Sequence, residues 1–340
     1  MKSTAVLVLG MHRSGTSALT GVLGRAGVYL GSDLVAPKED NPKGYFEHDK
    51  IWRVHQEILK GIGSSARDVR NLPVGWQNSE VARRGLDRVR AIVARDFGSA
   101  PLWGAKDPRM SRLVPIWREA LASLDIEIRV VLAVRHPAEV VASVVSRDPI
   151  SPATAMFLWL RYSLDAERDS RGLIRSAPHY PDLLTDWRKE LARIRESLGL
   201  VLPDLAPSTE KTIDEFLDTG LRHHHVSTPW DQSEDPIQRL CGEAYQALRD
   251  PDSRDSRRVL DAIDAQTRSL EQLALPYVTQ IGDYIAQLNI REAQLNRLYR
   301  NPAIRCARFV WHSTAFLRKT IPSGAPGPDQ EINKAEDWSR

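Results

Sequence analysis

The sequence predicts an α/β fold: a P-loop-type parallel sheet flanked by helices, with a C-terminal helical extension. Three observations carry that expectation. In the opening segment the apolar run Thr4-Ala-Val-Leu-Val-Leu9 ends in Gly10, and a second glycine follows at Gly15. Leu19, Val22, Leu23 and Ala26 then recur at helical spacing. A second buried-strand run, Ile126-Glu-Ile-Arg-Val-Val-Leu-Ala-Val134, closes in Arg135-His136-Pro137. Strand-like and helix-like stretches alternate through the first part of the chain, the pattern of a parallel sheet with helical crossovers.

The elements follow in order. Gly31 to Gly44 is a polar loop bearing Pro and Gly, and Tyr45 to Lys60 reads as an amphipathic helix with Ile51, Val54 and Ile58 on one face. Glu80 to Phe97 is a charged helix, and Pro101 to Lys106 is a strand stopped by Asp107-Pro108. Leu113 to Leu124 is helical. Pro137 suits the first turn of a helix carrying Val140, Val141 and Val144. Pro152 to Arg171 is a further helix, and Tyr180-Pro-Asp-Leu-Leu with a helix at Trp187 completes the core.

Beyond Leu202 the texture changes. A catalytic core is expected over 1–205, an irregular segment near the ligands over 206–250, a helical extension over 251–320 and a disordered tail over 321–340. Ser256 to Arg300 is a long helical pattern with an apolar stripe from Leu260 to Leu298, interrupted at Pro276. That stripe reads as packing or as a seam for homo-oligomers. The basic, aromatic segment Arg305 to Lys319 reads as an interfacial helix for peripheral membrane contact, or as packing on the catalytic domain.

Composition narrows the function. The chain has 340 residues, 42% hydrophobic and 27% charged, the balance of a soluble globular protein. A net charge of +3 gives no footing for nucleic-acid binding. Cys241 and Cys306 match no metal or redox spacing, so no disulfide scaffold is expected and a reducing cytoplasm is the default. The first strand begins at once, leaving no room for a signal peptide, and no apolar run is long enough to span a bilayer.

Strand, glycine loop and helix together form a phosphate cradle, because loop amides point inward and the helix N-terminus adds positive potential. The departure from the nucleotide-triphosphatase pattern is informative. That pattern places Lys directly after the second glycine, to reach the β- and γ-phosphates. Here Thr16 holds the position, and the cation is Arg13, inside the loop.

Three segments together resemble the sulfotransferases that use 3′-phosphoadenosine 5′-phosphosulfate (PAPS), especially their bacterial and carbohydrate-directed branches. Gly10-Met-His-Arg13-Ser14-Gly15-Thr16-Ser17 is similar to the family's 5′-phosphosulfate loop. Arg135, at a strand end with Ser143 eight residues later, is similar to its 3′-phosphate motif. Lys106-Asp107-Pro108-Arg109 resembles a turn common in glycan and tyrosine sulfotransferases, and Asn41-Pro-Lys-Gly-Tyr-Phe-Glu47 resembles the acid-bearing segment of bacterial members.

The resemblance covers about residues 4 to 190. It implies in-line, metal-independent transfer of a sulfuryl group to a hydroxyl of a glycan, glycolipid or other acceptor, with adenosine 3′,5′-bisphosphate as product. Ser14, Gly15, Thr16 and Ser17 hold the 5′-phosphate, and Arg135 with Ser143 anchors the 3′-phosphate. Arg13 and Lys106 stabilise developing charge, Asp107 orients Lys106, and Glu47 is the base, with His48 and Asp49 beside it. Arg109, His48 and Trp159 are candidates for the acceptor side, with Arg161. The bland alternatives are a tight turn at Gly10 to Ser17, a surface Arg135, an exposed Lys106 and a helix-terminal Glu47. His223-His224-His225 reads as a polar loop rather than a metal site. Tyr180 and Asp182 read as core and turn residues. A small-molecule kinase using ATP and Mg²⁺, and a non-catalytic nucleotide-binding scaffold, are the competing readings.

Overall fold

A computed structural model describes residues 2–38, 41–217 and 229–300. Four parallel strands, β1 (Thr4–Leu9), β2 (Leu102–Lys106), β3 (Glu127–Leu132) and β4 (Ile174–Ser176), form one sheet in the order β2-β1-β3-β4. The register pairs Leu7 with Ala105 on one side and with Val130 on the other. β1 is therefore central, and its carboxyl end is flanked by those of β2 and β3.

The period-two alternation of β1 divides the interior into two layers. Ala5, Leu7 and Leu9 face one core and Val6 and Val8 the other. On the first face pack α2 (Asp49–Gly61), α3 (Glu80–Asp96), α4 (Val114–Ser123), α5 (Pro137–Arg147) and α6 (Pro152–Asp169). The second face is covered by α1 (Thr16–Arg25), α7 (Tyr180–Thr185), α8 (Trp187–Leu198) and α9 (Pro207–Phe216). With both faces covered, β1 is apolar and buried from Ala5 to Leu9 and β3 from Val130 to Leu132, while the first half of β3, with Glu127 and Arg129, is less buried. Each buried Leu or Val there contributes about 1.5–3 kcal/mol.

Several boundaries differ from the sequence expectation. The helix expected from Tyr45 begins at Asp49, because Phe46 lies in the left-handed region (φ 55°) and His48 is extended. Glu47 thus projects from a loop, where its carbonyl accepts from the Val35 amide (2.8 Å). β4 is too short, at three residues, to show a periodicity of its own. The span 206–250, expected to be irregular, contains α9 and α10 (Pro236–Ala247). α11 (Arg254–Arg300) runs through Pro276 without a break.

The chain divides into two compact units, 1–271 and 272–340. In the first, Leu260 and Ile263 of α11 join the main core. In the second, Leu273, Ile281, Leu288 and Leu295 of the expected stripe are exposed. No helix among the described residues is long and apolar enough to cross a membrane. The His223–His225 loop, Cys306, the Arg305–Lys319 segment and the 321–340 tail lie outside the described residues.

Candidate active site

The candidate residues gather at the carboxyl ends of β1, β2 and β3, where open α/β sheets bind ligands. The loop after β1 is tightly determined. The Gly10 amide donates to Ser111 Oγ (2.8 Å) and the Ser14 amide to the Met11 carbonyl (3.2 Å). Gly15 takes φ 87°, and a Cβ there would run into the Tyr180 ring. Only glycine fits that position. Arg13 also takes a positive φ, 67°, which costs a non-glycine residue about 1–2 kcal/mol. α1 starts at Thr16, so the amides of its first turn lack intrahelical partners and face the loop.

The two motifs expected at opposite ends of a nucleotide meet directly. Arg13 Nε donates to Ser143 Oγ (2.8 Å), across 130 residues of sequence. Arg135 Nη1 donates to the Arg13 carbonyl (3.0 Å), and its Nε to Glu139 Oε2 (2.9 Å). Arg135 also lies over the Tyr180 ring, 4.6 Å from its centroid. Ser143 is therefore held by Arg13 rather than by Arg135. α5 brings Ser143 there because Pro137 opens the helix and His136 caps it, accepting from the Ala138 amide (3.3 Å).

A buried ion pair stands at the end of β2. Lys106 Nζ donates to Glu47 Oε1 (2.8 Å) and to Ser17 Oγ (3.2 Å), and both charged residues are more than nine-tenths buried. Burial is the largest influence on Glu47 and raises its carboxyl above the ordinary range, against the pull of Lys106. Ser17 in turn donates to the Tyr45 carbonyl (3.3 Å), so the loop after β1, Glu47 and Lys106 share one network.

Asp107 does not orient Lys106. It accepts from the Arg109 amide (3.1 Å), from Arg109 Nη1 (2.8 Å) and from His55 Nδ1 (2.7 Å). His55 Nε2 accepts from the Trp117 indole (2.9 Å), which leaves the His55 proton on Nδ1. Burial pushes the Asp107 carboxyl up, but Arg109 and His55 outweigh it and hold it well below the usual carboxylate range. His12 sits edge-on to Tyr162 at 5.8 Å. Burial, with the charges of Arg109 and Arg147, lowers its imidazole to about 3, so it is neutral at pH 7.

Three acceptor-side candidates are placed elsewhere. His48 packs on Phe97, with Nε2 3.2 Å from Asp96 Oδ2, away from Glu47. Trp159 is 1% exposed and lines a void of about 20 Å³ under Gly10 and Arg135, room for a single water rather than an acceptor. Arg161 is buried against Asn71 and Asp264. Tyr180, read from sequence as core, packs its ring against Gly15 of the loop after β1. Its signal was a tyrosine four residues beyond the end of β4, past the carboxyl edge of the sheet. Among the described residues no cluster of three or more His, Cys, Asp and Glu is arranged to hold a metal ion.

The donor set suits a polyanion. Three cations (Arg13, Lys106 and Arg135) and the hydroxyls of Ser14, Thr16, Ser17 and Ser143 surround a loop with helix-terminal amides. No cation directly follows Gly15 to serve a γ-phosphate.

Neither a protein-family model nor a curated protein matches the chain. Among solved structures, it is similar to the sulfotransferase domain of the Synechococcus PCC 7002 olefin synthase. That match has 21% identity and a TM-score of 0.40, covering 78% of this chain and 96% of that one. A sulfotransferase domain from the curacin biosynthetic pathway matches at 16% identity and TM-score 0.38, over 78% and 98% of the two chains. The sulfotransferase STF1 of Mycobacterium tuberculosis H37Rv matches at 18% and 0.41, over 63% and 71%. All three of these solved structures are sulfotransferases or sulfotransferase domains.

Proposed function

We propose that the protein transfers a sulfuryl group from PAPS to a hydroxyl of a glycan or glycolipid acceptor by in-line displacement. The observation that carries this reading is the joining of Arg13 to Ser143 and of Arg135 to the Arg13 carbonyl. A donor with phosphates at both ends of one nucleoside needs two anion sites built as one unit, and a triphosphate does not. Arg135, Ser143 and Tyr180 would serve the 3′-phosphate, while the amides and hydroxyls of Ser14 to Ser17 serve the 5′-phosphate.

Glu47 takes the acceptor's proton as its oxygen bonds to sulfur and the sulfur–oxygen bond to the nucleotide breaks. Its raised carboxyl brings the base closer to neutral pH, where proton transfer is most effective. Arg13 and Lys106 meet the charge that grows on the departing phosphate oxygen. Core domain 1–205, a cytoplasmic setting and self-association through the apolar stripe of α11 belong to the same reading.

Thermal-shift measurements with adenosine 3′,5′-bisphosphate, ATP/Mg²⁺ and AMP test it. Stabilisation by the bisphosphate alone is expected. Stabilisation by ATP/Mg²⁺ without the bisphosphate would establish the kinase reading instead, stabilisation by AMP as strong as by the bisphosphate would favour the nucleotide-binding scaffold, and no response to any nucleotide would overturn all three.

A further inference from the structure

We infer that α11 pairs with α11 of a second copy of this chain as an antiparallel, two-stranded coiled coil. This gives the self-association proposed above its direction and register, and it stands apart from the sulfuryl-transfer chemistry. Leu260 and Ile263 of α11 lie in the core of the first unit, and the seven-residue frame they set continues along the helix without a shift. In that frame Thr267, Ala274, Ile281, Leu288 and Leu295 take the a positions, and Leu270, Tyr277, Tyr284 and Arg291 the d positions. A repeat of seven keeps one stripe facing a partner helix through a slight left-handed supercoil. Pro276 falls at c, outside the stripe, so its missing amide leaves the seam intact.

From Leu270 onward the stripe is bare. Leu270, Tyr277, Ile281, Tyr284, Leu288 and Leu295 are between 42% and 70% exposed, and Ala274 and Arg291 are exposed with them. At those exposures the six large side chains present roughly 700 Å² per copy, close to the share that each partner of a standard interface buries and more than a typical monomer leaves open. Arg291, the one charged residue at an a or d position beyond Leu270, decides the direction. A parallel, in-register pair sets it against Arg291 of the second copy, two like charges in a closing seam. Reversing one helix about a two-fold axis between Ile281 and Tyr284 sets each a residue opposite a d residue. Ile281 then meets Tyr284 of the second copy, Leu288 meets its Tyr277, Leu295 its Leu270 and Arg291 its Ala274. The longest side chain thereby faces the smallest, so the Arg291 stem covers the Ala274 methyl while the guanidinium reaches water.

The full-length protein provides the test. Sedimentation equilibrium is expected to show a dimer at micromolar concentration. Ile281→Asp should raise the dissociation constant roughly 100-fold or more, and Ile281→Leu by less than 10-fold, with helix content by circular dichroism unchanged in both. Direction is read by cross-linking in a Cys306→Ser background, where the remaining thiol, Cys241, is buried. Tyr277→Cys and Leu288→Cys together in one chain should give a covalent dimer on mild oxidation, and neither single variant should, because each position faces the other only in an antiparallel pair. A wild-type monomer overturns the pairing, whatever else covers the stripe. A dimer that Ile281→Asp leaves intact puts the interface elsewhere, and a covalent dimer from either single variant makes the helices parallel; each overturns the inference. Should Ile281→Asp lose helix content, the cysteine variants decide alone, and failure of the double variant to cross-link overturns the register. Nucleotide binding is read separately by thermal shift, so failure of the pairing and failure of the functional reading are distinct.

Discussion

Glu47 and Lys106 form a buried pair whose strength can be measured without knowing the acceptor. Breaking it from one side leaves a buried charge without its partner. For a pair of this burial, with Nζ and Oε1 2.8 Å apart, Lys106→Met should cost about 3–5 kcal/mol. Glu47→Gln keeps a carbonyl that can still accept from Lys106 and should fall at or below the lower end of that range. The double variant replaces the pair with two uncharged groups of similar volume, so it should be more stable than the sum of the singles predicts, by about 2–3 kcal/mol. In a unit of this size each kcal/mol moves Tm by roughly 2–4 °C, so the Lys106→Met shift lies well outside measurement error. Urea unfolding of the four proteins completes the cycle. Costs that add to within about 0.5 kcal/mol would refute the pair as an energetic unit. Bisphosphate affinity should be unchanged in Glu47→Gln, while sulfuryl transfer falls roughly 10²–10⁴-fold, and activity within tenfold of wild type would remove Glu47 as base.

Ser143→Ala should weaken bisphosphate binding by roughly 10-fold by calorimetry, with AMP binding less affected, because Arg13 loses the acceptor of its Nε hydrogen. Gly15→Ala should lower Tm markedly and abolish bisphosphate binding, since both φ 87° and the Tyr180 ring oppose a Cβ; wild-type behaviour would mean the loop is soft. Stability should fall as pH drops from about 6.5 towards 4. Burial and nearby positive charge hold His179 at about 4 and His12 at about 3, so in this window the unfolded chain gains protons that the folded chain refuses. For His179 the loss is roughly 3 kcal/mol, and His179→Gln should flatten the Tm profile over that range.

The fold was largely legible because β1 and the second half of β3 are covered on both faces and are apolar there, while α1 and α5 carry their periodicity on one face. The ends of the β strands, together with the resemblance of the motifs there, then singled out Arg13, Lys106 and Arg135. What the sequence could not carry was pairing across long separations. Nothing local to Ser143 says that its partner is Arg13, and nothing local to Asp107 says that His55 and Trp117 will lock it onto Arg109. Glu47 was legible as a residue but not as a loop residue. The helical pattern continued back through Tyr45, and only the backbone turn at Phe46 turns the carboxylate inward. β4, three residues long, and Trp159, whose type suits a cleft as well as a core, carry no local signal that decides their roles.

Arg135 grips the carbonyl of Arg13, and in the proposed reading that places a tether between the two halves of the anion site. Arg13 sits in a backbone conformation that is unfavourable on its own, so the tether and the loop's shape depend on each other. Occupancy of one half then changes the free energy of occupying the other, by the same amount in either direction. A nucleotide stripped of one phosphate should lose more affinity than that phosphate's own contacts supply, because it also forfeits this cross-talk.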